Sequence, residues 1–323
     1  MKPHRPSGLN TQNHGHSMST RKFSIITPSL NRARFLEAAL QSVVAQNYCN
    51  YEHIIIDGGS TDETEQIVRK FPGINFVSGP DQGMYDALNK GLEIATGEII
   101  GFLNTDDLYA ERIFPVIAPK FEDTDVMAVA GRAIVFSELI DGNTAISDKY
   151  SPDDRSLLEC STIGSNYFNA WFFRRSVFVQ IGNFNADYKI VGDRDFMLRF
   201  ALNNLRYEVI NDLVYQYREH EDSLTFDKDD QKREWSANEH LAMTSIYLTK
   251  QNLSETARKL LAQLRTIETV DMAARSMWLW NYKKFIRYSR EGFKYNFAWV
   301  FSFLQYIIKR GVPMVLAKLS IRK

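Results

Sequence analysis

The sequence predicts an α/β fold: a mostly parallel sheet with helices on both faces, followed by a helical C-terminal extension. Short apolar runs alternate with helical periodicity from Phe23 to Leu103. The alternation changes character near residue 125, and residues 228–273 are polar with helical spacing. The chain has 323 residues, 44% apolar and 24% charged. That composition can bury a real core, and it excludes wholesale disorder, collagen and a disulfide-stapled mini-protein.

Each element has a local cause. Residues 23–27 (FSIIT) form an apolar run ended by Pro28, which reads as a buried strand. Over 35–44, Phe35, Leu36, Ala39, Leu40, Val43 and Val44 share one helical face. Residues 53–57 (HIIID) are a second strand. Ser60 precedes Glu63 by three residues, a capping-box spacing that opens a helix through Phe71. Residues 74–78 (INFVS) give a third strand, 84–95 a helix and 98–103 (EIIGFL) a fourth strand. Beyond 125 the pattern predicts a strand at 126–136, a polar loop at 141–156, helices at 171–180 and 194–203, and an extended segment at 207–217.

In parallel α/β sheets ligands bind beyond the carboxyl ends of the strands, so the polar residues there carry the chemistry. The second strand ends in Asp57-Gly58-Gly59-Ser60-Thr61-Asp62. The glycines allow a tight turn and close backbone approach, and the carboxylate can accept hydrogen bonds from a base or sugar edge. A plain strand-to-helix turn explains the hexapeptide equally well. The fourth strand ends in Asn104-Thr105-Asp106-Asp107. Adjacent acids after an apolar run are costly unless neutralised, by a divalent cation with hard oxygen ligands or by a helix N-terminus. A third acidic segment, Gly192-Asp193-Arg194-Asp195, opens an amphipathic helix. It suits a general base or a helix cap.

These segments together resemble glycosyltransferase family 2. The resemblance runs from about Phe23 to Thr225. It is carried by ITPSLNRARFLEAALQSVVAQ (26–46), IIIDGGSTDET (54–64), GPDQGMYDALNKGLEIATGEIIGFLNTDD (79–107), NAWFFRRSVFVQIGNFN (169–185) and GDRDFMLRF (192–200). The subgroup it looks most like makes exopolysaccharide of the colanic-acid type.

Membership would imply a GT-A fold, Rossmann-like, in domain 23–226, with 227–323 as a helical extension carrying a basic aromatic tail. It would also imply inverting transfer from a UDP- or GDP-linked sugar to a glycan or polyprenyl-linked acceptor. Carried over residue by residue, Thr27, Pro28 and Ser29 line the nucleotide and Asp57 meets its base. Asn89 and Lys90 lie near the diphosphate or ribose. Asn104, Thr105 and Asp106 occupy the DXD motif. Asp106 and Asp107, with His220, would hold Mn²⁺ or Mg²⁺. Asp193 is the expected base, and Trp171 and Asp195 the expected acceptor contacts, Asp195 being also a rival base. Asn104 replaces the first DXD aspartate, and Gly192 replaces the usual Glu before the base. A nucleotidyltransferase and a non-catalytic nucleotide-sugar binder or scaffold are the alternatives. A nucleotide-dependent oxidoreductase is disfavoured, because no GxGxxG follows the first strand.

Charge and cysteine usage bound the setting. Residues 274–323 hold eleven basic groups and one acid, Glu291, whereas the other 273 residues hold 28 basic and 38 acidic groups. Trp278, Trp280, Tyr282, Phe285, Phe293, Phe297, Trp299, Phe301, Phe303 and Tyr306 interleave there with Lys283, Lys284, Arg287, Arg290 and Lys294. Aromatics with cations suit a lipid headgroup layer, and the apolar residues 297–308 are too few to span a bilayer. Docking on an anionic membrane through 274–323 is expected, with an oligomer interface or packing against the domain as alternatives. No nucleic-acid motif is present, so no nucleic-acid partner is expected. Cys49 and Cys160 are the only cysteines and lack a metal spacing, which fits a reduced compartment. Residues 1–22 are polar and read as a disordered leader rather than a signal peptide. The expected location is the cytoplasm, at the inner face of the cell membrane.

Overall fold

The computed structural model describes residues 21–139, 143–152, 155–165, 167–221 and 230–311. The expected leader, but for its last two residues, and the expected domain boundary at 226 lie outside them.

The first half follows the sequence pattern. Strands β1 (Phe23–Ser29), β2 (Tyr51–Asp57), β3 (Ile74–Ser78) and β4 (Ile99–Phe102) pair in parallel in the order β3-β2-β1-β4. Helices α1 (Ala33–Val44), α2 (Thr64–Val68) and α3 (Met84–Ile94) connect them. Ile26, Ile54, Ile56, Ile100 and Phe102 face one core, while Phe23, Ile25 and Ile99 face another. Both faces are covered, which is why these strands read as continuous apolar runs. The register sets Ser29 beside Asp57 and Asp57 beside Ser78, so the polar strand ends form one rim.

The second half is β5 (Leu108–Tyr109), α4 (Ile113–Ile117), β6 (Ala128–Glu138), β7 (Thr144–Tyr150), α5 (Leu157–Cys160), β8 (Trp171–Arg174), α6 (Ser176–Ile181), α7 (Gly192–Leu202) and β9 (Tyr207–Arg218). Among the described residues the sheet has nine strands in the order β3-β2-β1-β4-β8-β6-β9-β5, with β7 beside β6. β8 runs antiparallel to both β4 and β6, β6 is parallel to β9, and β5 and β7 are antiparallel to their neighbours. The sheet is therefore mixed, parallel through β3-β2-β1-β4 and again between β6 and β9.

Three local expectations are corrected. Residues 171–174 are strand, not the start of a helix. Trp171 and Phe173 enter one core and Phe172 the other, and a run buried on both faces has no period to read. Residues 144–150 are an exposed edge strand rather than loop, held by backbone pairing that a polar sequence does not advertise. The capping box at Ser60 does not form. Asp62 instead accepts from Thr64 N at 3.1 Å and from Ala33 N at 2.9 Å, so one carboxylate caps α2 and α1 together.

The extension is helical as expected: α8 (Asp230–Leu248), α9 (Glu255–Trp278), α10 (Tyr282–Tyr295), α11 (Trp299–Tyr306) and a π-helical turn (Ile307–Gly311). Met243, Tyr247, Leu261 and Leu264 join the core that holds Phe196 and Phe200 of α7. The extension thus packs onto α7, the helix that carries Asp193 in its first turn.

Candidate active site

The rim begins with β1 and β2. Asp57 is buried and organises its own turn. Its Oδ2 accepts from Gly59 N at 3.1 Å, Ser60 N at 2.9 Å and Ser78 Oγ at 2.7 Å, and its Oδ1 accepts from Ser60 Oγ at 2.5 Å. Gly59 sits at φ +89°, where a side chain would be strained, and a Cβ on Gly58 would lie 2.7 Å from Asp81 Oδ2. On β1, Thr27 Oγ1 lies 2.9 Å from His53 Nε2. The His53 imidazole is held neutral, its pKa lowered to about 3 by burial. Pro28 is half-buried, and the buried Ser29 hydroxyl has no hydrogen-bond partner among the described residues. An unpaired buried donor at a strand end is a place for a ligand acceptor.

Beyond β4 the two acids part company. Asp107 is 3% exposed. Its Oδ1 accepts from Arg218 N at 2.8 Å, and its Oδ2 from Tyr215 Oη at 2.9 Å and Asn104 Nδ2 at 3.1 Å. Burial, and then the charge of Asp106, raise its pKa well above the carboxylate range. Asp107, expected in the metal shell, therefore ties the loop to β9 with both carboxylate oxygens engaged by protein donors. Asp106 keeps an open carboxylate, with Oδ2 2.9 Å from His220 Nε2. Buried Thr105 separates Asn104 from this pair. Arg218 braces the loop from beneath. Its Nε donates to Asp106 O at 2.9 Å, its side chain pairs with Glu138, and its guanidinium lies 4.8 Å from the rings of Phe35 and Phe136.

The described residues contain no cluster of three His, Cys, Asp or Glu that could hold a metal ion. Asp106 and His220 fit as two neighbouring ligands. Donors each about 2.1 Å from an octahedral ion lie roughly 3 Å apart, the separation seen here, and substrate phosphate oxygens ordinarily complete such a shell.

Asp193 opens α7 and is partly exposed. Its Oδ1 accepts from Arg194 N at 2.7 Å and Tyr85 Oη at 3.2 Å. Desolvation raises its pKa above the ordinary value. Gly192 is explained by the same tyrosine, because a Cβ at 192 would lie 2.7 Å from the Tyr85 ring. Tyr85 occupies the space a glutamate side chain would need. The loop before Asp193 is held from two sides. Tyr85 Oη lies 2.8 Å from Ile190 O, and the Glu239 carboxylate of α8 accepts from the backbone N–H of Lys189, Ile190 and Val191 at 2.8, 2.9 and 3.1 Å.

Burial, and then the charge of Asp107, raise the pKa of the Tyr217 phenol well above its ordinary value. That phenol accepts from Asn169 N at 3.0 Å, while Tyr215 Oη takes Asn169 Nδ2 at 3.2 Å and Asn104 N at 3.0 Å. Tyr85, Tyr215, Tyr217, Arg218 and Glu239 were not singled out from sequence. Their signal is contact across long separations.

Other expected site residues lie in the scaffold. Asn89 exchanges two hydrogen bonds with the backbone of Phe184, at 2.9 and 3.0 Å, and Lys90 binds Pro80 O and Asp86. Trp171 is 1% exposed and stacked on Phe173, so it offers no face to an acceptor. Asp195, the expected acceptor contact and rival base, is buried between Arg199 Nε at 3.0 Å and Tyr247 Oη at 2.8 Å. A cavity of about 280 Å³ is bounded by Lys149, Tyr150, Arg155, Gly164 and Tyr167. Arg194 braces its edge by donating to Gly164 O at 3.0 Å and to Thr162 O. A cavity of about 340 Å³ between α8, α9 and α10 has its charges paired internally, Arg275 with Asp230 and Lys284 with Glu234, and stands apart from the strand ends.

Residues 24–182 match the family described as Glycosyl transferase family 2. The chain is 34% identical over 196 residues to a PGL/p-HBAD biosynthesis glycosyltransferase of Mycobacterium tuberculosis, covering 58% of this chain and 72% of that protein. The chain belongs to glycosyltransferase family 2. A glycosyltransferase of Nostoc is 32% identical over 158 residues, 47% of this chain and 48% of the relative. Among solved structures, S. aureus TarS 1–349 in complex with UDP-GlcNAc superposes with a TM-score of 0.62 at 17% identity, over 83% of this chain and 79% of that one. The mannosyltransferase PcManGT from Pyrobaculum calidifontis, in complex with GDP-Man and Mn²⁺, gives 0.56 at 18% identity, over 84% and 87%. The family 2 chain has the GT-A type of fold.

Proposed function

We propose that this family 2 glycosyltransferase is a metal-dependent, inverting enzyme. It moves a sugar from a UDP- or GDP-linked donor to a hydroxyl of a glycan or polyprenyl-linked acceptor, in surface polysaccharide or glycolipid synthesis at the inner face of the cell membrane. The observation that carries this reading is the pairing at the rim: Asp106 with His220 on one side, and Asp193 with Tyr85 on the other.

The chemistry follows from those groups. The nucleotide lies along Ser29 and the glycine turn after Asp57, where backbone can approach it closely. Asp106 and His220 would hold Mn²⁺ or Mg²⁺, which when bound supplies positive charge to the leaving diphosphate. Asp193 accepts the proton of the acceptor hydroxyl as its oxygen attacks the anomeric carbon opposite the leaving group. One displacement inverts that centre. The raised proton affinity of Asp193 suits it to this task, and Tyr85 and Glu239 fix where its carboxylate sits. The acceptor sugar rests against Tyr167, whose ring stacks on Tyr150 at 4.7 Å.

Thermal shift with UDP, UDP-GlcNAc, GDP and GDP-mannose, each with and without Mn²⁺, tests the donor side, because a ligand that binds only the native state raises its melting point. At least one nucleotide should stabilise the wild type in a Mn²⁺-dependent way, and His220→Ala should abolish that dependence. Stabilisation by none of them would overturn the reading. Tight donor binding with no hydrolysis or transfer would favour the scaffold alternative.

A further inference from the structure

The outer surface of α10 and α11 is a feature that glycosyl transfer leaves unused. One side of this helical pair is a packed seam. Trp299 is buried and donates to Thr269 Oγ1 at 2.9 Å, Asn296 Nδ2 reaches Thr266 Oγ1 at 3.1 Å, and Phe285 meets Phe303 with ring centroids 5.9 Å apart. Gly292 admits Trp299, since a Cβ there would fall 2.1 Å from the indole nitrogen. The pair is thus held rigidly on α9.

The other side is apolar and open. Tyr282, Ile286 and Phe293 fall on one stripe of α10 by helical spacing, and all are exposed. Val300, Phe301, Leu304 and Ile308 follow on the outward face of α11 and the turn after it, with Phe297 93% and Phe301 70% exposed. Trp280, at φ +56°, projects at the start of the same region and is 77% exposed. A soluble surface rarely exposes so many large apolar side chains together.

Charge selects the occupant. Glu291 is the only acid between residues 279 and 309, and it is tied to Arg265 at 2.8 Å. Lys283, Arg290 and Lys294 lie beside the apolar stripe, exposed and without a salt-bridge partner among the described residues. A second copy would bring the same cations against each other. Among the described residues no helix is long and apolar enough to cross a membrane. Exposed aromatics flanked by cations match the headgroup layer of an anionic bilayer.

We propose that Trp280, Phe297, Phe301, Leu304 and Ile308 insert into the headgroup layer of an anionic membrane while Lys283, Arg290 and Lys294 contact its phosphates. The face deepens the membrane-proximal reading above by naming the surface, and it stands without any assumption about the transfer reaction.

Flotation of the full chain with phosphatidylcholine vesicles, with and without phosphatidylglycerol, tests this. Wild type should float with the anionic vesicles and not with pure phosphatidylcholine, and added salt should weaken it. The variant Phe297→Ser/Phe301→Ser/Leu304→Ser and the variant Lys283→Glu/Arg290→Glu/Lys294→Glu should each lower partitioning roughly tenfold or more. Both change exposed side chains, so circular dichroism and melting should match wild type. Equal flotation of either variant, or none by wild type, overturns the proposal. So does a concentration-dependent dimer in analytical ultracentrifugation that the serine variant abolishes. Flotation needs no sugar donor, so a failed transferase assay leaves this result readable.

Discussion

Replacing Tyr85 by Phe isolates the contact that holds Asp193. The ring is 2% exposed, so Phe preserves the packing that excludes a side chain at position 192. What is lost is the hydroxyl, 2.8 Å from Ile190 O and 3.2 Å from Asp193 Oδ1. A net hydrogen bond contributes about 1 kcal/mol. For a chain of this size that corresponds to a fall in Tm of about 2 °C. The electrostatic effect has a definite sign. The Tyr85 hydroxyl favours the ionised carboxylate, against desolvation that favours the neutral acid. Without it the Asp193 pKa rises further, leaving Arg194 N–H at 2.7 Å as the remaining donor to Oδ1. The acidic limb of kcat against pH should move to higher pH, and activity well above that limb should stay within about tenfold of wild type, since the base itself remains. The Asp193→Asn variant should lose roughly 10²–10⁴-fold above that limb and should lack the limb itself. Linkage gives a second check. A carboxyl whose folded pKa lies above its unfolded value gains stability as pH falls, so the Tm deficit of Tyr85→Phe should be largest near neutrality and shrink in acid. An unmoved acidic limb in Tyr85→Phe, or full activity in Asp193→Asn, would refute the assignment of base and positioning group.

Tyr215→Phe should be more damaging to stability, because its hydroxyl serves Asp107 Oδ2, Asn104 N and Asn169 Nδ2 in a buried site. Two stranded donors cost about 2–5 kcal/mol together; chemical denaturation would measure it, and a loss below 1 kcal/mol would show that water repairs the network. Gly292→Ala should loosen the seam of α10 and α11 by overpacking against Trp299, at about 1–3 kcal/mol. Faster amide exchange confined to 282–306 would report it, and unchanged exchange there would contradict the contact. Glu239→Gln keeps an acceptor oxygen but removes the charge that meets three backbone N–H groups. It should lower kcat with little change in nucleotide affinity, and an unchanged kcat would limit Glu239 to a purely structural tie.

The parallel half of the sheet was legible because its causes are local. Apolar runs, turn glycines and helical spacing lie within a few residues of one another from Phe23 to Phe102. The edge strand at 144–150 was not legible, since exposed polar residues in a backbone-paired strand leave no hydrophobic period. The buried aromatic run at 171–174 misled for the opposite reason, being apolar on every side.

The sequence by itself determined that acids stand at strand ends in a family 2 order, because strand, turn and helix are set by neighbours in the chain. Only the tertiary structure decided what each acid does. Asp106 and Asp107 are adjacent, yet one faces His220 and the other is enclosed by Tyr215, Asn104 and the backbone of Arg218. Asp193 and Asp195 share one helical turn, yet one meets Tyr85 and the other Arg199 and Tyr247. A side chain's role follows from its partners and its access to solvent. Tyr215 and Arg218 of β9, Tyr85 of α3 and Tyr247 of α8 lie 52 to 111 positions from the acids they meet, and His220 lies 114 from Asp106.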